Sequence, residues 1–168
     1  MDHSEKEEKV IREYSESADA DVKDFVEGVL SGREKLNYVT VAFLSEEAAI
    51  RIKELTGKEV RGNRVVLDIS AVRHIELRHG KNGKQDQSMS DPDDVARIGY
   101  VIMNFDDITF NGEKSFNHVD ENGEPAPMVQ FSKRIDGTVY VVQTVSEVKS
   151  KRNYIVTAYI KKKQPSNP

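Results

Sequence analysis

The chain has 168 residues, no cysteine and a formal net charge of −4. A chain of this length makes one domain whose core needs no disulfide or metal staple. The lack of cysteine excludes a thiolate nucleophile, a disulfide framework and a cysteine-built zinc or iron–sulfur site. No apolar run approaches the roughly 20 residues that span a bilayer, and the start, MDHSEKEEK, has neither the basic nor the apolar region of a secretory signal. A cytoplasmic protein is expected.

Residues 5–17 predict a short polar helix with Val10, Ile11 and Tyr14 as its apolar positions. Asp19 or Asp21 caps a second helix, in which Val22, Phe25, Val26, Val29 and Leu30 form an amphipathic stripe that Gly32 ends. This acidic front end, 1–34, reads as a helical extension for docking a protein partner or for self-association rather than as part of the core. Tyr38 to Leu44 is rich in β-branched and aromatic residues and predicts a strand. Ser45 opens a helix through Ile52 and Leu55 that closes at Gly57, and Arg64 to Asp68 is a short strand. Ser70 is the expected cap of a helix from Ala71 to His79, before Gly80 and a loop over 81–90.

Asp91-Pro92-Asp93-Asp94 predicts a helix start, with Asp91 as cap and Pro92 in the first turn. Val95, Ile98, Ile102 and Phe105 place one stripe on the helix that follows. Ile108 to Phe110 is a short strand, and 111–127 reads as a long turn or loose hairpin, marked by Asn111-Gly112 and Asn122-Gly123. Met128–Ile135 and Thr138–Val145 flank Asp136-Gly137, a type I′ hairpin signal that sets Val129 opposite Thr144, Phe131 opposite Val142 and Lys133 opposite Tyr140. Asn153 to Lys161 is the last strand, and 164–168 a disordered tail. Strict alternation puts Tyr154, Val156, Ala158 and Ile160 on one face of that strand, and Ile155, Thr157, Tyr159 and Lys161 on the other.

The overall acidity hides a division. Residues 1–34 carry −6 and 85–127 carry −8, whereas 58–84 carry +4 and 128–168 carry +6. A fold that joins the two basic segments makes an anion-binding face on an acidic molecule; ordinary solvated surface is the plain alternative.

The basic segments also hold the residues that bear chemistry. His74 and Arg78 share a face of one short helix, and His79 continues the apolar stripe of Ile69, Val72 and Ile75. A histidine on such a stripe is more often a hydrogen-bonded core residue. Two histidines beside an arginine point instead to proton transfer and phosphate grip. The spacing of His74 and His79 does not match His-Glu-x-x-His, so zinc is not expected. Thr157, Tyr159 and Lys161 present a hydroxyl, a phenol and an amine in a row, which Ser132, Lys133 and Arg134, and Lys149, Lys151 and Arg152, extend; an ordinary half-exposed strand also favours Thr and Tyr. The carboxylates at 91, 93 and 94 are explained by the helix start. The sequence contains neither a glycine-rich phosphate loop nor Gly-x-Ser-x-Gly.

The order of a strand, a histidine-bearing helix ending in Arg78-His79-Gly80, a helix after Asp91-Pro92-Asp93-Asp94 and a β-meander closing in IVTAYI (155–160) resembles the phage-type branch of the barnase–EndoU–colicin–RelE-like (BECR) nucleases, over residues 64–163. The resemblance implies an α+β fold with helices packed on an antiparallel sheet of about four strands, a nuclease-like domain over 35–163 behind the N-terminal extension. It implies a toxin-like, metal-independent ribonuclease of a phage or mobile element that needs no cofactor. RNA is cut by transesterification, with His79 or His74 transferring protons, Arg78 and Lys161 bearing phosphate charge, and Thr157 and Tyr159 orienting. Ser132, Lys133 and Arg152 are the further substrate contacts. Some members of the family have eroded catalytic sets, so a catalytically inactive RNA- or protein-binding module of the same fold is the competing expectation.

Overall fold

The computed structural model describes residues 3–162. In chain order the elements are α1 (His3–Ser15), α2 (Ala20–Ser31), β1 (Tyr38–Phe43), α3 (Glu46–Thr56), β2 (Arg64–Asp68), α4 (Ile69–His79), α5 (Pro92–Val95), α6 (Ile98–Met103), β3 (Asp107–Thr109), β4 (Lys114–Val119), β5 (Pro125–Ile135), β6 (Thr138–Glu147) and β7 (Arg152–Lys162). The side chains of Val10 and Ile11 and the expected tail lie outside the described residues.

Local chemistry sets the helix starts. Asp19, not Asp21, caps α2, its carboxylate accepting from the N–H groups of Asp21 and Val22 at 2.9 and 3.1 Å, a contact worth about 1 kcal/mol. Gly32 closes α2 in the left-handed region, at φ 76°. The cap of α4 is Asp68 and not Ser70: its Oδ1 accepts from Ala71 N at 2.8 Å, so the helix opens directly out of β2. Most of the stripe of α2 is consumed internally, with Leu30 left 45% exposed. Val22, Phe25, Val26 and Val29 sit in the main core cluster with Val72 and Ile75 of α4, so the extension is packed into the domain rather than held away from it.

The single helix expected after Asp91 is broken into α5 and α6. The Ala96 carbonyl, which a continuous helix would use on Tyr100, accepts instead from Asp19 N at 3.1 Å, and the Asp94 carbonyl accepts the buried Tyr140 hydroxyl. Gly99 then lets α6 lie on β1: a Cβ there would stand 2.2 Å from the Val41 carbonyl oxygen.

The expectation of an antiparallel sheet of about four strands is overturned, although α+β stands. Seven strands make the sheet, in the order β1-β2-β7-β6-β5-β3, with β4 attached to β5 off this path. It is mixed, because β2 runs parallel to β7 over Arg64–Val66 and Arg152–Tyr154. The extra strands come from two sources. The β1–β2 pair joins through a contact distant in sequence, and β4 forms within the stretch read as a long turn or loose hairpin, pairing Lys114 with Pro127 and Ser115 with Ala126. The β5–β6 hairpin keeps the expected register at Val129–Thr144, Phe131–Val142 and Lys133–Tyr140. Its turn residues Asp136 and Gly137 both have positive φ, 44° and 74°, as a type I′ turn requires.

Strict alternation fails at one point in β7. Gln143 pairs with Thr157 but Thr144 pairs with Ile155, so Val156 is the extra residue of a bulge. Tyr154 therefore shares a face with Thr157 and Tyr159, and Ile155 joins Ala158 and Ile160. Phe131, Tyr140, Val142, Ile155 and Ala158 enter the main core. Val66, Ala126, Val141 and Val145 are buried outside it. Through the register, Val66, Tyr154 and Val145 form one row on the opposite face.

Candidate active site

The site arises because β7 is only partly paired on one side. Beyond Tyr154 its edge leaves β2 and meets α4 and the loop 81–90, where Ser88 Oγ accepts from Ile160 N at 3.0 Å. The fold thus joins the two basic segments: β2 pairs with β7 and α4 packs along it.

The two histidines of α4 part company here. His74, half-buried, opens on a cleft of about 100 Å³ lined by Asp68, Ser70 and Ala71 of the β2–α4 corner, Ser115, Asn117 and His118 of β4, and Ile155 and Val156 of β7. Burial, then the nearby Arg78 guanidinium, then His79, lower the His74 pKa, because each disfavours the imidazolium. His74 is thereby held neutral near pH 7, the form that accepts a proton.

His79 is 4% exposed. Its ring stacks on Tyr159 with centroids 5.0 Å apart, and its Nδ1 lies 3.0 Å from Asp86 Oδ1. Burial pushes the Asp86 carboxyl up, but hydrogen bonds from Ser88 and His79 outweigh it and hold it below its ordinary range. An ionised carboxylate only accepts, so Nδ1 carries the shared proton. Burial, followed by the charges of Glu113 and Asp86, raises the Tyr159 phenol. The Met89 N–H bonds the His79 carbonyl at 2.8 Å, so this end of α4 is clamped by the loop that follows it.

The other expected residues divide. Thr157 is 7% exposed, and its Oγ1 meets no protein partner among the described residues. Lys161 is exposed near the far end of β7, opposite Val139. Arg152 lies over the Tyr38 ring, 4.6 Å from its centroid, and donates to the Tyr38 hydroxyl at 3.0 Å. Ser132 and Lys133 sit on β5, separated from β7 by β6, and Lys133 is paired with Asp106 at 3.4 Å. The cleft therefore gathers His74 with Arg78 close by, while Tyr159 and His79 form a closed neighbour to it.

Sequence reasoning missed the β4 wall. His118 stacks on Tyr154 with centroids 4.9 Å apart and planes 25° from parallel. The available signal was a stretch between two Asn-Gly turns holding one of only four histidines. Among the described residues, no three His, Cys, Asp or Glu side chains gather in a form able to hold a metal ion, and no helix is long and apolar enough to cross a membrane.

A proton-accepting side chain in a polar cleft beside an arginine, on a fold that brings basic segments together, is chemistry suited to a phosphodiester. Comparison with curated proteins and with solved structures finds no match. The family model of the phage-Barnase-EndoU-ColicinE5/D-RelE like nuclease3 matches residues 43–167, about three quarters of the chain. The chain belongs to that family of phage-type nucleases.

Proposed function

We propose that the protein is a metal-independent endoribonuclease whose cleft between α4, β4 and β7 binds the scissile phosphate. One observation carries this: α4 lies along the unpaired edge of β7 and there opens His74, neutral and half-buried, on a polar cleft beside Arg78. In transesterification a base takes the proton of the RNA 2′-hydroxyl as its oxygen attacks phosphorus, and an acid protonates the departing 5′-oxygen. His74 is the base. Arg78 supplies positive charge to the crowded phosphorus centre, a place that a metal ion fills in other nucleases. His79, Asp86 and Tyr159 fix the end of α4, and so the aim of His74, while Lys161 and Arg152 extend the basic border for the RNA chain.

The test is direct. The full chain, incubated with RNA in excess chelator, is expected to leave 2′,3′-cyclic phosphate and 5′-hydroxyl ends. No cleavage, or equal cleavage by a His74→Ala/His79→Ala variant, overturns the reading; cleavage abolished by chelator overturns its metal independence.

A toxin-like role in the cytoplasm fits this chemistry, since unspecialised RNA cleavage harms the cell that contains it. A non-catalytic RNA-binding module of the same fold is the second reading. It is favoured by the closure of His79 and Thr157, which leaves part of the expected catalytic set out of solvent's reach. Tight RNA retention on a filter with no cleavage at any concentration supports that alternative. A protein partner at α2 meets its acidic outer surface and the exposed Leu30, because the rest of the apolar stripe is already used.

A further inference from the structure

We propose that His118 is the second proton-transfer group of the cleft, donating to the leaving 5′-oxygen from β4 while His74 acts from α4. This rests on the RNA-cleavage reading above and adds to it a residue from a strand that lies off the main sheet path.

Position comes first. His74 and His118 line the same cleft from different elements, α4 and β4, together with Ile155 and Val156 of β7. The cleft holds about 100 Å³, less than a whole small-molecule site of roughly 300–1,000 Å³, so it suits a single phosphate group of a longer chain. In-line displacement requires the base and the acid on opposite sides of phosphorus, and two walls provide that where two histidines of one helix do not.

The orientation of His118 is also fixed. One face is taken by Tyr154 in a stack, and the residue lines the cleft beside it. Among the described residues no protein group bonds its ring nitrogens. The far end of β4 is tied down, since Lys58 Nζ holds Asp120 Oδ2 at 3.3 Å and Glu121 Oε1 at 2.8 Å, with the Lys58 and Asp120 side chains mostly buried. A group held in this way meets its substrate without being reorganised. The titratable and charged groups around the pair are Asp68 at the head of α4, Arg78 and His79 near His74, Tyr154 under His118 and Arg152 bonded to Tyr154.

The step balances. The 2′-oxygen–phosphorus bond forms as the 2′-hydroxyl proton passes to His74. The phosphorus–5′-oxygen bond breaks, its electron pair stays on that oxygen, and the oxygen takes the proton of protonated His118. The products are a 2′,3′-cyclic phosphate and a 5′-hydroxyl, and water returns both histidines to their starting forms.

The test compares ordinary RNA with RNA whose 5′-bridging oxygen at one linkage is sulfur, a leaving group that needs no proton. His118→Phe keeps a ring to stack on Tyr154 but has no proton to give. On ordinary RNA it is expected to cut about 10²–10⁴-fold more slowly than wild type, and on the sulfur substrate within about tenfold of it. His74→Ala should be slow on both. Melting curves check that each variant folds, and His118→Ala decides the matter if the phenylalanine does not fit. Wild-type speed on ordinary RNA, or equal slowing on both substrates, overturns the assignment while leaving the cleavage reading in place. If wild type cuts neither substrate, the cleavage reading itself fails and the assignment falls with it.

Discussion

His74 and His79 stand on the same short helix, and the fold puts them in opposite circumstances. His74 lines an open polar cleft. His79 is closed in by Tyr159 and tied to Asp86, and its own carbonyl is bonded by the following loop. The helical repeat is the cause: five residues turn the second ring about 140° from the first, from the open side of α4 to its apolar stripe. Residue type alone therefore says little about role. A histidine free to exchange its proton with a substrate belongs to the chemistry, and one whose partners are all protein belongs to the scaffold that aims it.

The comparison is sharpened most by removing both cleft histidines. His74→Ala/His118→Phe should be no slower than the slower single variant, about 10²–10⁴-fold below wild type, because groups acting as a unit do not add. Additive losses in single-turnover cleavage break the idea that they serve one step. Next comes the closed end. His79→Ala removes a buried, stacked and hydrogen-bonded ring and should lower stability by about 2 kcal/mol, read as a shift in urea midpoint, with any loss of rate following from a looser α4. An unchanged midpoint with a large rate loss would make His79 a chemical group after all.

The pH dependence has a definite sign. His74 is held below the ordinary histidine value of about 6.5. Cleavage limited by its neutral form thus rises with pH and reaches half its plateau below that value. Stability follows the same group. As pH falls below about 6.5 the unfolded chain binds a proton that folded His74 resists. The fold therefore loses stability until the pH passes the folded value. Arg78→Gln removes one cause of the depression and should move the lower limb of the rate profile to higher pH, whatever it does to the plateau. A limb that stays in place breaks the electrostatic link. The smallest effect is at Asp86→Asn, which keeps the shape of the clamp and gives up its charge; with Asp86 largely open to solvent, less than about 1 kcal/mol is expected in the same urea titration.

Local signals carried much of this fold. The Asp136-Gly137 turn set the register of β5 and β6, and the Asp19/Asp21 pair, Ser45 and Asp91 marked three helix starts. What was illegible depended on partners far away in sequence. The parallel pairing of β2 with β7 and the bulge at Val156 exist only against neighbouring strands, and the break between α5 and α6 needs Asp19 and Tyr140 to draw off carbonyls. The candidate site divides in the same way. His74, Arg78 and His79 were legible because one helix carries them, but β4 and His118 were not: Lys114–Val119 has weak alternation and becomes a strand only by pairing with β5 around Pro125–Pro127.

The most direct measurement is the single-turnover rate of RNA cleavage by His74→Ala in excess chelator, set against wild type, with the thermal midpoint of each recorded on the same samples. The division between the two ends of α4 predicts a rate about 10²–10⁴-fold lower with a midpoint nearly unchanged. A variant that cuts RNA as fast as wild type would contradict it.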